Sequence, residues 1–428
     1  MFDPKAEAMS PDERAALQRH RLWGLVDRLI AAGGTQGARL KEAGVGGGAD
    51  VHLADLRRLP FTTKRDLWDE YPFGMLAVPR DQVAAVHGSS GTRGRPTLVA
   101  YTRADLDLWA AMCARSLACA GAGPGSVVHN AYGYGLFTGG IGIHQGAVAL
   151  GATVVPMSGG MTDRQIRMLA DLRPDILACT PAYALRLGEA AAEAGVELPA
   201  LRAGLLGAEP WSAELRAAIE SVLPVKAVDV YGLSEVIGPG VATECLEQDG
   251  LHVNEDHFIV ETVDPESGEP VEPGVPGELV FTTPTKQALP LLRYRTGDIA
   301  ALTPGECPCG RTLVRMSKVL GRADDMLIVR GVNVYPSEVE RVLLGSGLVA
   351  PHYQLVVDRR RPDARLVVAC EALAGDPGEP LARALRETLG LGADVRVLPP
   401  GTVPRVEVGK AVRVVTWDSG EPPLPGLG

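Results

Sequence analysis

Five short runs in the middle of the chain decide its fold: Ser126-Val127-Val128-His129-Asn130, Ala152-Thr153-Val154-Val155-Pro156, Ile176-Leu177-Ala178-Cys179-Thr180, Gly204-Leu205-Leu206 and Ala227-Val228-Asp229-Val230. Each is short and apolar, as a buried strand is, and segments of helical character separate them. Strands alternating with helices imply βαβ units and parallel sheets. Working toward the N-terminus, the apolar positions Leu106, Trp109, Ala110 and Cys113 recur with a helical period. Gly46-Gly47-Gly48 reads as a loop. Ser10 stands before Pro11-Asp12-Glu13, an N-cap followed by acids in the first turn of a helix.

Toward the C-terminus the pattern changes after Gly240. Phe258–Val263 and Gly277–Thr282 read as antiparallel strands broken by Gly and Pro. Beyond Gly321–Asp325 a smaller α+β unit begins, in which Ser337–Leu343 reads as a capped helix. The Gly/Pro-rich tail 420–428 reads as loose.

A chain of 428 residues is too long for one ordinary core and predicts at least two domains. Hydrophobic residues at 46% and charged residues at 22% describe a soluble globular protein. The net charge of −10 argues against a general nucleic-acid surface, because phosphate backbones need a basic footprint. No apolar stretch reaches transmembrane length. Seven cysteines in so long a chain do not make a disulfide framework. The N-terminus has no basic region followed by an apolar run. A reduced, cytoplasmic setting is the expectation.

The loop His87-Gly88-Ser89-Ser90-Gly91-Thr92-Arg93-Gly94-Arg95-Pro96-Thr97 carries the chemistry. Its glycines let the backbone approach a polyphosphate, and its N–H and hydroxyl groups can donate to phosphate oxygens. Arg93 and Arg95 can add charge-assisted bonds. The spacing is not that of a P-loop, and Pro96 fits poorly inside the helix a P-loop requires.

Four further motifs follow in order: Val230-Tyr231-Gly232-Leu233-Ser234-Glu235, Tyr294-Arg295-Thr296-Gly297-Asp298, Gly321-Arg322-Ala323-Asp324-Asp325-Met326 and Gly409-Lys410. Together with Gly207-Ala208-Glu209-Pro210-Trp211, Gly250-Leu251-His252 and Arg330–Pro336, they resemble the adenylate-forming superfamily of acyl- and aryl-CoA ligases, nearest its phenylacetate-CoA ligase branch. The resemblance runs from about Asp55 to Val415. It implies an N-terminal adenylation domain, 1–322, of parallel α/β sheets plus a small antiparallel barrel-like part. A smaller mobile α+β domain, 323–428, carries a catalytic lysine.

The resemblance also implies a reaction. A carboxylate attacks the α-phosphorus of ATP, and the acyl group then passes to a thiol. Ser89, Ser90, Gly91, Thr92 and Gly94 match the loop that holds the β- and γ-phosphates. Arg95 stands where the family usually has lysine, a change of geometry but not of charge. Glu235 matches the Mg²⁺-binding acid, and Ser234 stands where many relatives have Thr. Asp298 matches the acid that pairs with the ribose hydroxyls, with Arg322 as its catalytic partner. Ala208, Glu209, Pro210, Asp229, Tyr231 and Gly232 fit the adenine pocket. Lys410 matches the lysine that bridges the α-phosphate and the substrate carboxylate, and Asp324 matches the hinge on which the small domain turns. Tyr132, Tyr134 and Phe137, three aromatics in a chain with only 5%, line the acyl pocket, with Ala208, Val230 and Pro239 opposite. Ala208 is expected to be the position where a bulkier residue fills the slot.

Cys245, His252, Cys307 and Cys309 form a second constellation. Cys307-Pro308-Cys309-Gly310 resembles a metal knuckle, though tighter than C-x₂-C, and members of this branch with the same residues can bind structural zinc. Reduced, unpaired thiols are the alternative. Cys113, Cys119, Cys179 and Cys370 sit in apolar stretches and are expected in the core.

The expected partners are a small aromatic carboxylic acid, ATP, Mg²⁺ and CoA, with no nucleic acid and no membrane. A homodimer is one expected assembly. The rival reading delivers the acyl group to a carrier-protein thiol or another nucleophile. A zinc-bearing nucleic-acid or regulatory protein is a reading that the acidic balance opposes.

Overall fold

The computed structural model describes residues 1–89, 96–322, 326–360 and 364–427. The central runs form the strands Thr153–Pro156, Val127–Asn130, Ile176–Cys179, Ala203–Gly207 and Lys226–Leu233, parallel and adjacent in that order. Strand alternation sends Ile176 and Ala178 to one face and Leu177 and Cys179 to the other. The first face packs on the helices Arg103–Cys119 and Thr138–Leu150 through Trp109, Met112, Cys113, Ile143 and Ala147. The second packs on Thr162–Leu172, Pro181–Glu193 and Ala213–Val222 through Leu169, Leu187 and Ile219. The two helices of the first face lie close. A Cβ added at Gly146 would come within 2.4 Å of Cys113, so only glycine admits that approach.

The sheet does not stop at its five parallel strands. Gly238–Glu244, Leu251–Val253, Arg315–Met316 and Leu302–Thr303 extend it antiparallel to nine strands. Gly238–Glu244 and Leu251–Val253 each follow their sheet neighbour after a short connection that permits an antiparallel pair, whereas Arg315–Met316 returns to the sheet only after the chain has passed through a second sheet. A separate antiparallel sheet contains Ile259–Val263, Gly277–Thr282, Tyr294–Ala300 and Gly321–Arg322.

The C-terminal unit is a four-stranded sheet in the order Asp394–Leu398, Arg365–Ala372, Val349–Asp358, Val414–Trp417, covered by the helices Pro336–Gly345 and Gly378–Leu389. Its core of Val339, Leu343, Leu355, Val368, Leu381 and Leu385 is its own. Cys113, Cys119, Cys179 and Cys370 are buried, as expected.

Local signals held at Ser10, which forms a capping box with Glu13. They misled at Ser337. The helix begins at Pro336, which Tyr335 precedes without a side-chain cap, and the Ser337 hydroxyl donates to the Leu320 carbonyl instead. The tail is not loose over its whole length. Leu424 and Leu427 are buried against Trp417, Leu398 and Val403, apolar anchors that the surrounding Gly and Pro obscure. No helix is long and apolar enough to cross a membrane among the described residues.

Candidate active site

The candidate residues gather at the C-terminal ends of the parallel strands, where open α/β sheets form ligand crevices. Thr180 follows one strand, Ala208 and Glu209 the next, and Ser234 and Glu235 the third. The last two lie in the turn between Lys226–Leu233 and Gly238–Glu244. That turn closes tightly, since a Cβ on Gly232 would lie 1.9 Å from the Gly238 carbonyl.

Glu235 is buried, and Lys64 Nζ stands 3.9 Å from its Oε1. Its main-chain carbonyl accepts a 2.9 Å bond from Lys286 Nζ. Lys286 is fully buried, lies over the Tyr101 ring and is pushed down to about 8 by burial, against the pull of Asp105 and Glu235. The Tyr101 hydroxyl donates to the Ile237 carbonyl, and its ring stacks on Trp109 at 5.2 Å. His87 meets both rings edge-on. Ser234 Oγ is 3.1 Å from Thr138 Oγ1 and 3.4 Å from the Gly88 carbonyl, at the mouth of the Ser/Gly loop. Ser89 Oγ is buried with no partner among the described residues. Ser90, Gly91, Thr92, Gly94, Arg95 and the hinge candidate Asp324 lie outside the described residues.

The ribose candidates face each other on paired strands. Arg322 Nη1 donates to Asp298 Oδ1 at 2.7 Å, and the Tyr231 hydroxyl donates to Asp298 Oδ2 at 2.7 Å. Asp229, under Trp211 and Lys318, is driven up to about 6 by burial, with Lys318 opposing the rise. Lys318 sits 3.5 Å from the Trp211 ring centroid and is driven down to about 8 by burial. Pro210 is exposed.

Glu209 differs from its sequence reading. Its carboxylate does not present an open edge to a base: Oε1 accepts from Ala182 N–H at 2.9 Å and Oε2 from Ala411 N–H at 2.8 Å. Those contacts bring the neighbouring Lys410 to the site, with Thr180 Oγ1 donating to the Gly409 carbonyl at 2.9 Å. The exposed Lys410 side chain thus arrives from the C-terminal unit beside residues of the N-terminal one.

Of the residues expected to line the acyl slot, Tyr132 and Val230 are buried, Tyr134 is held by Asn130 and His144, and Phe137 is half exposed at the start of its helix. Pro239 gives its carbonyl to Trp109 Nε1 at 3.2 Å. Ala208 has φ +74°, a left-handed conformation costly for a β-branched residue. A Val there strains the backbone as well as filling space, so it is a poorer probe of the slot than its position suggests. Sequence reading overlooked Thr180, Lys286 and Lys318. No local pattern marks them, since each acts through a neighbour distant in the chain.

The Cys/His constellation converges at the antiparallel extension of the large sheet. The ligand atoms of Cys245, His252, Cys307 and Cys309 all lie within 4.8 Å of one another. Cys245 Sγ to Cys307 Sγ is 3.7 Å and Cys309 Sγ to His252 Nε2 is 3.5 Å.

Residues 40–287 match the AMP-binding enzyme family, and 331–417 match the AMP-binding enzyme C-terminal domain. A phenylacetate-coenzyme A ligase of Thermus thermophilus is 49% identical over 97% of this chain and 99% of its own. The crystal structure of a 2-hydroxyisobutyryl-CoA ligase in the postadenylation state, with a bound acyl-adenylate, superposes with TM-score 0.89 at 27% identity. It covers 96% of this chain and 91% of that one. The same enzyme in its thioesterification state superposes at 0.73, at 28% identity and the same coverage. The chain thus superposes better on the postadenylation state than on the thioesterification state. The chain belongs to the AMP-binding, adenylate-forming enzyme family, on its phenylacetate-CoA ligase-like branch.

Proposed function

We propose that the chain is an AMP-forming acid–thiol ligase whose substrate is an aromatic or arylacetic acid. The observation that carries this reading is that Glu235, the Asp298–Arg322 pair through Tyr231 and the Lys410 loop through Glu209 all meet the C-terminal ends of two neighbouring parallel strands. In the first half-reaction a carboxylate oxygen attacks the α-phosphorus of ATP and pyrophosphate leaves. In the second, a CoA thiolate attacks the acyl carbon and AMP leaves. Both steps depend on positioning and on charge stabilisation. Asp298 accepts from the ribose hydroxyls. Arg322 orients Asp298, and Lys410 places positive charge between the two reacting oxyanions.

The buried Glu235 carboxylate suits a hard cation, and Mg²⁺ held there would neutralise charge on the phosphates. The four Cys/His atoms suit zinc. Zn–S bonds of about 2.3 Å in a tetrahedron put two sulfurs roughly 3.8 Å apart, close to the Cys245–Cys307 separation. Four protein ligands leave no open position, so that ion would be structural.

Carboxylate-dependent ATP–pyrophosphate exchange requires no thiol acceptor, so it tests the acid by itself. Phenylacetates, benzoates and cinnamates should support it better than medium-chain aliphatic acids; the reverse order overturns the aryl assignment. CoA should then accept the acyl group, and exclusive transfer to a carrier-protein thiol would replace CoA as the acceptor. Protein prepared without chelator should hold about one zinc per chain. Metal-free but fully folded protein would exclude the structural ion.

A further inference from the structure

The helix Pro181–Glu193 begins in an unusual way. Thr180 occupies its N-cap, a position whose hydroxyl ordinarily accepts from the first-turn N–H groups. Here it makes no such bond. The hydroxyl donates across the domain boundary to Gly409 O at 2.9 Å. The vacated first-turn donor, Ala182 N–H, is satisfied by Glu209 Oε1 at 2.9 Å, and Glu209 Oε2 takes the Ala411 N–H at 2.8 Å. The carboxylate sits where a helix N-terminus favours negative charge. Lys410 therefore lies between two backbone groups, the carbonyl before it and the N–H after it, each held by a side chain of the other domain. Gly160 lacks a side chain where one would come within 3.0 Å of Val408, so the loop can seat closely just upstream.

We infer that Thr180 and Glu209 are positioning residues for Lys410, clamping the backbone on both sides of it for the adenylation step only. This rests on reading Lys410 as the residue that meets the reacting oxyanions. The clamp can open without leaving a costly orphan. When the small domain departs, Glu209 keeps Ala182, and the Thr180 hydroxyl becomes available to cap its own helix. A purely structural interface has no need of that exchange.

The test uses the full-length protein and two assays: phenylacetate-dependent ATP–pyrophosphate exchange, and thioester formation from supplied phenylacetyl-adenylate and CoA. Thr180→Val, which keeps shape and loses the donor, and Glu209→Gln should each lower kcat for exchange by roughly 10- to 100-fold, the scale of a small misplacement of a catalytic group. For Thr180→Val, KM for ATP should stay within about twofold, and the thioester assay should be unchanged. Thr180→Ser should restore exchange. In a Lys410→Ala background, Thr180→Val should add nothing to the residual loss, because a clamp has no effect without the group it holds. Equal losses in both assays, or the same loss in the Lys410→Ala background, would overturn the clamp and leave Thr180 and Glu209 as structural. Normal exchange in Lys410→Ala alone would overturn the lysine reading itself, an outcome distinct from normal exchange in Thr180→Val alone.

Discussion

On the proposed reading, the turn that carries Glu235 and the loop that carries Lys410 serve one reaction, and they are built in opposite ways. Glu235 is 4% exposed, and its turn rests on Lys286, Tyr101 and Trp109, all buried in the main core. Lys410 is exposed, and the loop around it is held to the other domain by a few hydrogen bonds to Thr180, Glu209 and, through Glu407, Thr162 and Arg186. One group is fixed within a single core, while contacts between two cores place the other. Polar contacts between separate cores are the kind that can be made and broken within a catalytic cycle. A two-step reaction in which one step needs a lysine and the next needs room for a thiol requires this asymmetry.

The asymmetry can be broken most severely at the docked side. Lys410→Ala should cut ATP–pyrophosphate exchange by about 10²–10³, the usual cost of losing a preorganised charge at the transition state. Thioester formation from supplied adenylate should survive. Equal loss of both would show that Lys410 is as built-in as Glu235.

At the fixed side the effect should appear in stability as well as rate. Lys286→Met leaves the buried Glu235 carbonyl without its donor. Unfolding in denaturant should register a loss of about 1–3 kcal/mol, the cost of an unsatisfied buried group. Exchange should fall with it. Unchanged stability would mean that the turn is held by packing alone.

Asp229 probes the ground between the two. Its folded pKa, near 6, lies above its ordinary value, so the folded state binds the proton more tightly than the unfolded state. The resulting stabilisation is full below pH 4, fades as the pH rises toward 6 and is gone above it. Asp229→Asn should remove this dependence. Measured by thermal unfolding, the variant should gain on the parent by on the order of 2 kcal/mol between pH 4 and pH 7. Parallel profiles would sink the assignment. The smallest change is expected at Ala208, where glycine relieves the left-handed φ but loosens the unfolded chain. The net should fall within about 0.5 kcal/mol, whereas Ala208→Val should cost more than about 1 kcal/mol.

Much of this was legible in the sequence for a physical reason: strands, caps and motifs are written in neighbours. The five central runs, the Ser10–Glu13 cap and the Cys/His set could be picked out from their residues, and the Asp298–Arg322 pair from the family resemblance. What the sequence concealed depends on distant juxtaposition. Glu209 reads as one more pocket residue until the fold sets it between Ala182 and Ala411. Lys286 carries no signal in its own neighbours; only the fold buries it behind Glu235. The anchored tail was hidden because two leucines among glycines and prolines look like linker.

The bond from Ala411 N–H to Glu209 gives the enzyme a built-in clock. That amide belongs to an otherwise exposed stretch, flanked by Lys410 and by Val412 at 69% exposure. If the small domain turns as proposed, its exchange with deuterated solvent is slowed only while the loop is seated, and the protection factor of this single site would read the fraction of time spent docked. Followed as acid, nucleotide and thiol are added in turn, it would time that docking with no attached probe and no mutation.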